Sequence, residues 1–312
     1  MKNYIVKFKC DSGYIDAQEW EDVYLDVDEN RINYKIYQDP DNSSKELYED
    51  IAKFLNIQEN KVKELKGKFK YELSLDPLGI KVCEQNESNS QLLFILRSDQ
   101  LGFSAPSVEK NHIYDFYLDK SENKEQARKS ISKWIFDSRS IGGCFLWPMK
   151  WNEKIKRWQL TYYNVQRGMY QMQDRVDVTL QDIKNCFETM ITPQMYKRIP
   201  KLYDRYTKEK NMQLWLNHFG SGKDGFLRYV EFFCFKDFLN DNGMPKDLLD
   251  GGEINFWNSK YVKKFSEYAV EDLEKILNNL NKCVLSRSEA IEKILKITVV
   301  EEDNYFGCKK LV

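Results

Sequence analysis

Chemistry-bearing residues gather between Ser138 and Leu180 of this 312-residue sequence. The stretch opens Ser-Arg-Ser-Ile-Gly-Gly-Cys-Phe-Leu-Trp-Pro (138–148) and reaches Asn-Val-Gln-Arg-Gly-Met (164–169) through a Trp- and Lys-rich segment. It closes on Asp-Arg-Val-Asp-Val-Thr-Leu (174–180). Arg139, Arg167 and Arg175 carry guanidinium forks that grip phosphate or carboxylate bidentately. Gly142, Gly143 and Gly168 let backbone N–H groups approach the same anion. Asp174 and Asp177, at i and i+3, orient those arginines or hold a divalent cation through oxygen ligands. The same spacing also suits plain helix capping, with acids at the N-cap and first turn. Equally, the arginines can pair with Asp174, Asp177 or Asp137 and only fix a strand–helix junction. With no third carboxylate or histidine beside the aspartates, no metal site is assigned.

The segment Met149–Tyr163 interleaves Lys150, Lys154, Lys156 and Arg157 with Trp151, Trp158 and Tyr162. Basic groups for phosphates and aromatic faces for bases describe a single-strand nucleic-acid surface. A half-buried strand with a solvated basic face gives the same pattern. Cys144 follows Gly143, but a cysteine opening an apolar strand reads as a small buried hydrophobe. His112 and His218 are the two histidines. His218, at a helix end in Trp-Leu-Asn-His-Phe-Gly, is placed to bond terminal carbonyls. No nucleophile elbow, P-loop or dinucleotide fingerprint occurs, so no catalytic residue is assigned and the chain is not assigned to an enzyme class.

Net charge is −1, which excludes a global basic field, yet the balance is uneven. Residues 1–60 hold 7 Lys+Arg against 14 Asp+Glu, and residues 110–212 hold 20 against 12, so a basic middle follows an acidic start. Seven scattered cysteines without a Cys-x-x-Cys pair point to reduced thiols and a cytoplasmic setting. No 18-residue apolar run or signal-peptide pattern is present, so a membrane partner is not expected.

The elements that must position these residues form an α+β fold, with a mostly antiparallel β N-terminal half packed on a helical C-terminal half. Strand patterns fall at 4–10, 23–27, 32–37, 69–75, 91–96, 101–103 and 113–118. Strands are also expected at 144–147 and 158–163. A helix from Ser43 or Ser44 carries the stripe Leu47, Ile51, Phe54 and Leu55, and another from Ser121 carries Ala127, Ile131, Trp134 and Ile135. Helices are expected over 174–190, 193–216, 224–240, 259–283 and 286–296. The organisation reads as a β-rich region 1–120, a central hairpin and helical region 121–298, and a tail 299–312.

Ile141-Gly-Gly-x-x-x-Trp-Pro148, Asn164-x-x-Arg-Gly168 and Asp174-Arg-x-Asp-x-Thr-Leu180 resemble the central block of an uncharacterised bacterial family, a domain of unknown function. That family reads IGGxxxFP, NxxRG and DRFDLTL, and Gly225–Phe238 is similar to its aromatic helix. A pair of arginines and a histidine follow its Thr-Leu step. Here the position reads Lys184-Asn185-Cys186-Phe187, so no role of that histidine carries over.

These residues support binding of a phosphate-bearing ligand, a nucleotide or nucleic acid, at 138–177, in a bacterial or phage protein suited to bacteria–phage conflict. The alternative is a non-enzymatic interaction or inhibitor protein that meets a protein partner elsewhere and whose central stretch is purely structural.

Overall fold

The structure is a computed structural model and describes residues 2, 4, 7–10, 13–16, 43–85, 90–101, 113–154, 156–160, 175–188, 210–254 and 265–307. A short hairpin of β1 (Lys7–Cys10) and β2 (Gly13–Asp16) stands before helix α1 (Ser43–Lys61). Five strands follow in one antiparallel sheet, in spatial order β3 (Phe69–Leu75), β4 (Leu78–Gln85), β5 (Ser90–Gln100), β6 (Cys144–Asn152), β7 (Arg157–Leu160). Helices α2 (Ile113–Lys120) and α3 (Lys124–Ser138) lie in the β5–β6 connection. The remaining described helices are α4 (Val176–Glu188), α5 (Lys210–His218), α6 (Gly222–Phe232) and α7 (Val270–Gly307). This is the expected α+β architecture.

Local sequence explains most of these elements. Phe69 and Tyr71 are buried while Lys70 is exposed, the alternation of a strand with one wet face. In α1 the stripe Leu47, Ile51, Phe54 and Leu55 is buried against β3 and β4. β3 is an edge strand, and α1 caps its outward backbone groups with side chains. Asn56 Nδ2 donates to the Tyr71 carbonyl at 2.8 Å, and Asn56 Oδ1 accepts from the Tyr71 N–H at 3.1 Å. Glu59 Oε1 accepts from the Phe69 N–H at 3.0 Å. Edge groups satisfied this way cannot template another strand at those two residues.

Three expectations are corrected. The helix expected over 224–240 ends at Phe232, because Cys234 takes a left-handed φ of 56° and breaks the helical run before a separate 3-10 turn at Lys236–Phe238. Residues 113–118, strand-like through Ile, Tyr and Phe, are helical: Ile113, Tyr114 and Tyr117 share one buried face. Tyr114 and Tyr117 pack on Trp134 of α3 with centroids 6.3 and 5.2 Å away, so tertiary contacts override propensity. The expected break near residue 285 is absent, and α7 runs on through it to Gly307. No glycine or proline interrupts the chain between Val270 and Gly307, and the polar Arg287 and Ser288 turn inward. The segments 23–27, 32–37 and 193–209 lie outside the described residues, as do 102–103, 161–163 and 259–264.

One hydrophobic core runs from Tyr4 to Ile291 and includes residues of the five-stranded sheet and of all seven described helices. Its centre is aromatic: Phe219 sits 5.3 Å from Trp215, 5.2 Å from Phe232 and 5.8 Å from Phe233, centroid to centroid. α7 lies along α3, α2 and the turn Ile141–Gly143, and so backs the central stretch.

Candidate functional site

Ile141–Gly143 forms a single 3-10 turn between α3 and β6, fully buried against α7. Helix and turn approach so closely that a Cβ on Gly142 would come within 2.3 Å of both Ser288 Oγ and the Val284 carbonyl. The Gly142 N–H donates to Ser288 Oγ at 3.0 Å, and Ser288 Oγ lies 2.6 Å from Ser140 Oγ. Gly143 is also engaged, its N–H donating to the Ser140 carbonyl at 3.0 Å and its carbonyl accepting from the Leu101 N–H at 2.6 Å.

Arg287 closes this clasp. Its NH1 donates to the Gly142 and Cys144 carbonyls, both at 2.6 Å, and its Nε donates to the Phe233 carbonyl at 2.7 Å. The guanidinium lies 4.2 Å from the Phe235 ring centroid. Among the described residues no carboxylate pairs with it. Burial pulls its pKa down to about 10, which still leaves it protonated at neutral pH. Arg139 is buried beside Ser140, and its carbonyl accepts from the Tyr4 N–H at 3.1 Å.

Arg175 and Asp177 sit at the start of α4 and face each other. Nε donates to Oδ1 and NH2 to Oδ2, each at 3.0 Å, in a bidentate fork. NH2 also lies 3.5 Å from Asp247 Oδ1, and NH1 donates to the Tyr268 hydroxyl at 3.2 Å. Asp177 Oδ2 accepts from the Leu248 N–H at 2.9 Å, tying α4 to the 247–249 segment. The Arg175 and Asp177 side chains are 3% and 0% exposed. Burial would lower the Arg175 guanidinium, but Asp177 and then Tyr268 and Asp247 raise it above its ordinary value overall. Both Asp177 oxygens are taken by Arg175 and Leu248, so the carboxylate acts as a buried counter-ion. Thr179 adds a backbone-like link, its N–H and hydroxyl both donating to the Arg175 carbonyl at 3.1 and 3.2 Å.

The structure therefore brings Arg175 to Asp177 and brings Gly142 and Gly143 into the clasp with Ser140, Ser288 and Arg287. Arg167, Gly168 and Asp174 lie outside the described residues. Sequence reasoning missed Arg287, Ser288, Asp247 and Asp182. Cys144 is buried, with its Sγ 4.0 Å from the Ser140 carbonyl. Cys83, Cys144, Cys186, Cys234 and Cys283 form no disulfide. His218 is fully engaged in the core, with Nδ1 3.0 Å from the Lys66 carbonyl, Nε2 2.9 Å from Glu59 Oε2, and its ring stacked 3.9 Å from Phe69. Among the described residues no three His, Cys, Asp or Glu side chains group as a metal ion would need. Nor is any helix among them long and apolar enough to cross a membrane.

α4 is unusual in being buried on every face from Val176 to Phe187. Leu180, Ile183 and Phe187 enter the core, and Phe187 meets Phe226 and Tyr229 of α6. Gln181, Asp182 and Asn185 are buried as well, and burial raises the Asp182 carboxyl well above its ordinary value. An acid raised in this way contributes stability that is complete below its unfolded-state pKa of ~3.9 and is lost as pH rises toward the folded value. Asp182→Asn is therefore expected to raise the urea midpoint at about pH 7 and to give no gain at about pH 4, since the asparagine does not titrate. Equal gains at both pH values would show that Asp182 is not held protonated.

The model of a family described as a family of unknown function (DUF6994) matches residues 22–291, which span both the clasp and the start of α4. No curated protein and no solved structure matches the chain.

Proposed function

We propose that this chain, which belongs to that family of unknown function, binds a phosphate-bearing ligand, a nucleotide or nucleic acid, at the 138–177 stretch. The observation that carries the reading is the charge left at the Ile141–Gly143 turn. Arg287 keeps a protonated guanidinium inside the protein against neutral carbonyls and a ring, with no carboxylate among the described residues to balance it. A buried cation without a counter-ion is costly, and a phosphate oxyanion supplies the missing charge. Arg139 stands beside the same turn. Arg175, by contrast, is balanced by Asp177 and Asp247, which moves the weight of the reading from Arg175 to Arg287.

One observation favours the second reading, an interaction protein whose central stretch is structural. The Gly142 N–H and carbonyl, the Gly143 N–H and carbonyl and the Cys144 carbonyl are all bonded within the chain. Thermal melting against nucleoside mono-, di- and triphosphates and short RNA and DNA, with and without Mg²⁺, separates the two. At 100 times its Kd a ligand stabilises by about 2.7 kcal/mol. The expected result is a shift with a phosphate-bearing probe that Arg139→Gln removes. No shift with any probe would leave the stretch as a junction and turn the search to protein partners.

A further inference from the structure

Gln181, Asp182 and Asn185 stand at i, i+1 and i+4 of α4, with only 6%, 1% and 7% of their surfaces exposed. Gln181 Nε2 donates to Asn185 Oδ1 at 3.1 Å, which locks the two amides together. Gln181 Oε1, Asp182 Oδ1 and Asn185 Nδ2 remain buried without a hydrogen-bond partner among the described residues. Exchanging O and N in both amides leaves the same inventory of one donor and one acceptor, so it does not depend on how the amides are oriented. The carboxyl can serve as either, as an acid or as a carboxylate.

Holding α4 in place does not require this set. Leu180, Ile183 and Phe187 already anchor the helix, and apolar residues at 181, 182 and 185 would bury at lower cost. Buried polar atoms left unpaired call for a compensating partner, and here donor and acceptor are fixed side by side with a carboxyl next to them.

We infer that this face of α4 binds the edge of a nucleobase that presents three hydrogen-bonding groups in a row, as cytosine, uracil and guanine do. The two amides take adjacent acceptor and donor groups, and Asp182 takes the third. Adenine offers two such groups on its pairing edge and leaves one protein atom unsatisfied. Cytosine and uracil need Asp182 as the acid, whereas guanine needs the carboxylate, so the two kinds of base are separated by pH. The inference concerns a different place from the Arg287 turn and needs no phosphate.

The test uses the full chain and phosphate-free nucleosides. Melting temperatures are measured with cytidine, uridine, guanosine and adenosine at several pH values, for the wild type, Asp182→Asn and Arg139→Gln. The expected result is an upward shift with one or more of the first three that exceeds the adenosine shift and persists in Arg139→Gln. A pyrimidine shift grows as pH falls, and a guanosine shift grows as pH rises. At about pH 7 Asp182→Asn should melt higher without nucleoside, yet it should lose the pH dependence of the shift. Equal shifts with all four nucleosides, or none with any, would overturn the inference and leave a buried polar cluster alone. A phosphate-dependent shift without any nucleoside shift would overturn it while leaving the reading of the turn intact.

Discussion

Arg175→Ala is expected to destabilise the protein by ~3–5 kcal/mol, the cost of removing one partner from a buried ion pair. The guanidinium makes a two-bond fork with Asp177, reaches Asp247 at 3.5 Å and donates to Tyr268 at 3.2 Å. Its loss removes the guanidinium from Asp177, whose side chain is 0% exposed, and from the neighbouring Asp247, which keeps its bond from the Leu249 N–H. Asp177 would still accept from the Leu248 N–H, so the damage comes from uncompensated charge more than from a lost connection. Two companions make the result specific. Arg175→Lys keeps the charge but cannot fork, and should recover only part of the loss. Arg175→Ala combined with Asp177→Asn should cost less than the sum of the single changes, because the stranded charge is gone. Urea unfolding with an unchanged m-value reads all three. If Arg175→Ala left the midpoint unchanged, the fork would not be holding α4, and Arg175 would return as a ligand contact.

The difference between what the sequence makes legible and what it hides follows burial chemistry. Strand β3 and helices α1 and α3 obey simple rules, because each has one apolar face and one wet face and so carries a clean period. β5 is legible instead as an apolar run, whose Phe94, Ile95 and Leu96 are all buried. α2 breaks the rule because its aromatic and β-branched residues favour a strand until Trp134 provides a packing surface. α7 looks broken near residue 285 for a related reason. Arg287 and Ser288 point into the protein, so the apolar stripe of Leu277, Leu280 and Val284 pauses there although the helix does not. The Arg175–Asp177 pairing is readable as one of two options from local spacing alone, since the partners are two residues apart. Arg287 is beyond reach of such reasoning, because its three carbonyl partners lie 54, 143 and 145 residues away. Asp182 is hidden differently. Nothing in Leu-Gln-Asp-Ile-Lys-Asn marks which polar residues are withheld from water, and only the packing of α4 on all sides reveals it.

Gly142→Ala is expected to be the other large loss, toward or beyond the upper end of the ~1–3 kcal/mol that overpacking ordinarily costs. The added methyl would stand 2.3 Å from Ser288 Oγ, 2.3 Å from the Val284 carbonyl and 2.5 Å from the Ser288 nitrogen. A side chain can rotate away from such a clash, but two of the three atoms are backbone of a long helix. Relief requires the turn and α7 to separate, which lengthens the 2.6 Å bonds from Arg287 to the Gly142 and Cys144 carbonyls and the 3.0 Å bond from the Gly142 N–H to Ser288. Those bonds satisfy groups with no access to water, so the penalty includes desolvated polar atoms as well as steric strain. Adding Ser288→Ala to Gly142→Ala should therefore rescue little, because the Val284 carbonyl still blocks the methyl. A full rescue by that second change would mean that only the hydroxyl was in the way and that helix and turn can separate cheaply. Failure to rescue, together with unchanged stability of a control Gly251→Ala change, is not the contrast to seek, because Gly251 has φ +74° and carries its own backbone strain. Gly252→Ala is the better control, since its Cβ would meet only the Asp250 side chain at 3.1 Å. Its small effect beside a large one at Gly142 would show that the second residue of Ile-Gly-Gly is set by the approach of a helix, whatever ligand the turn also serves.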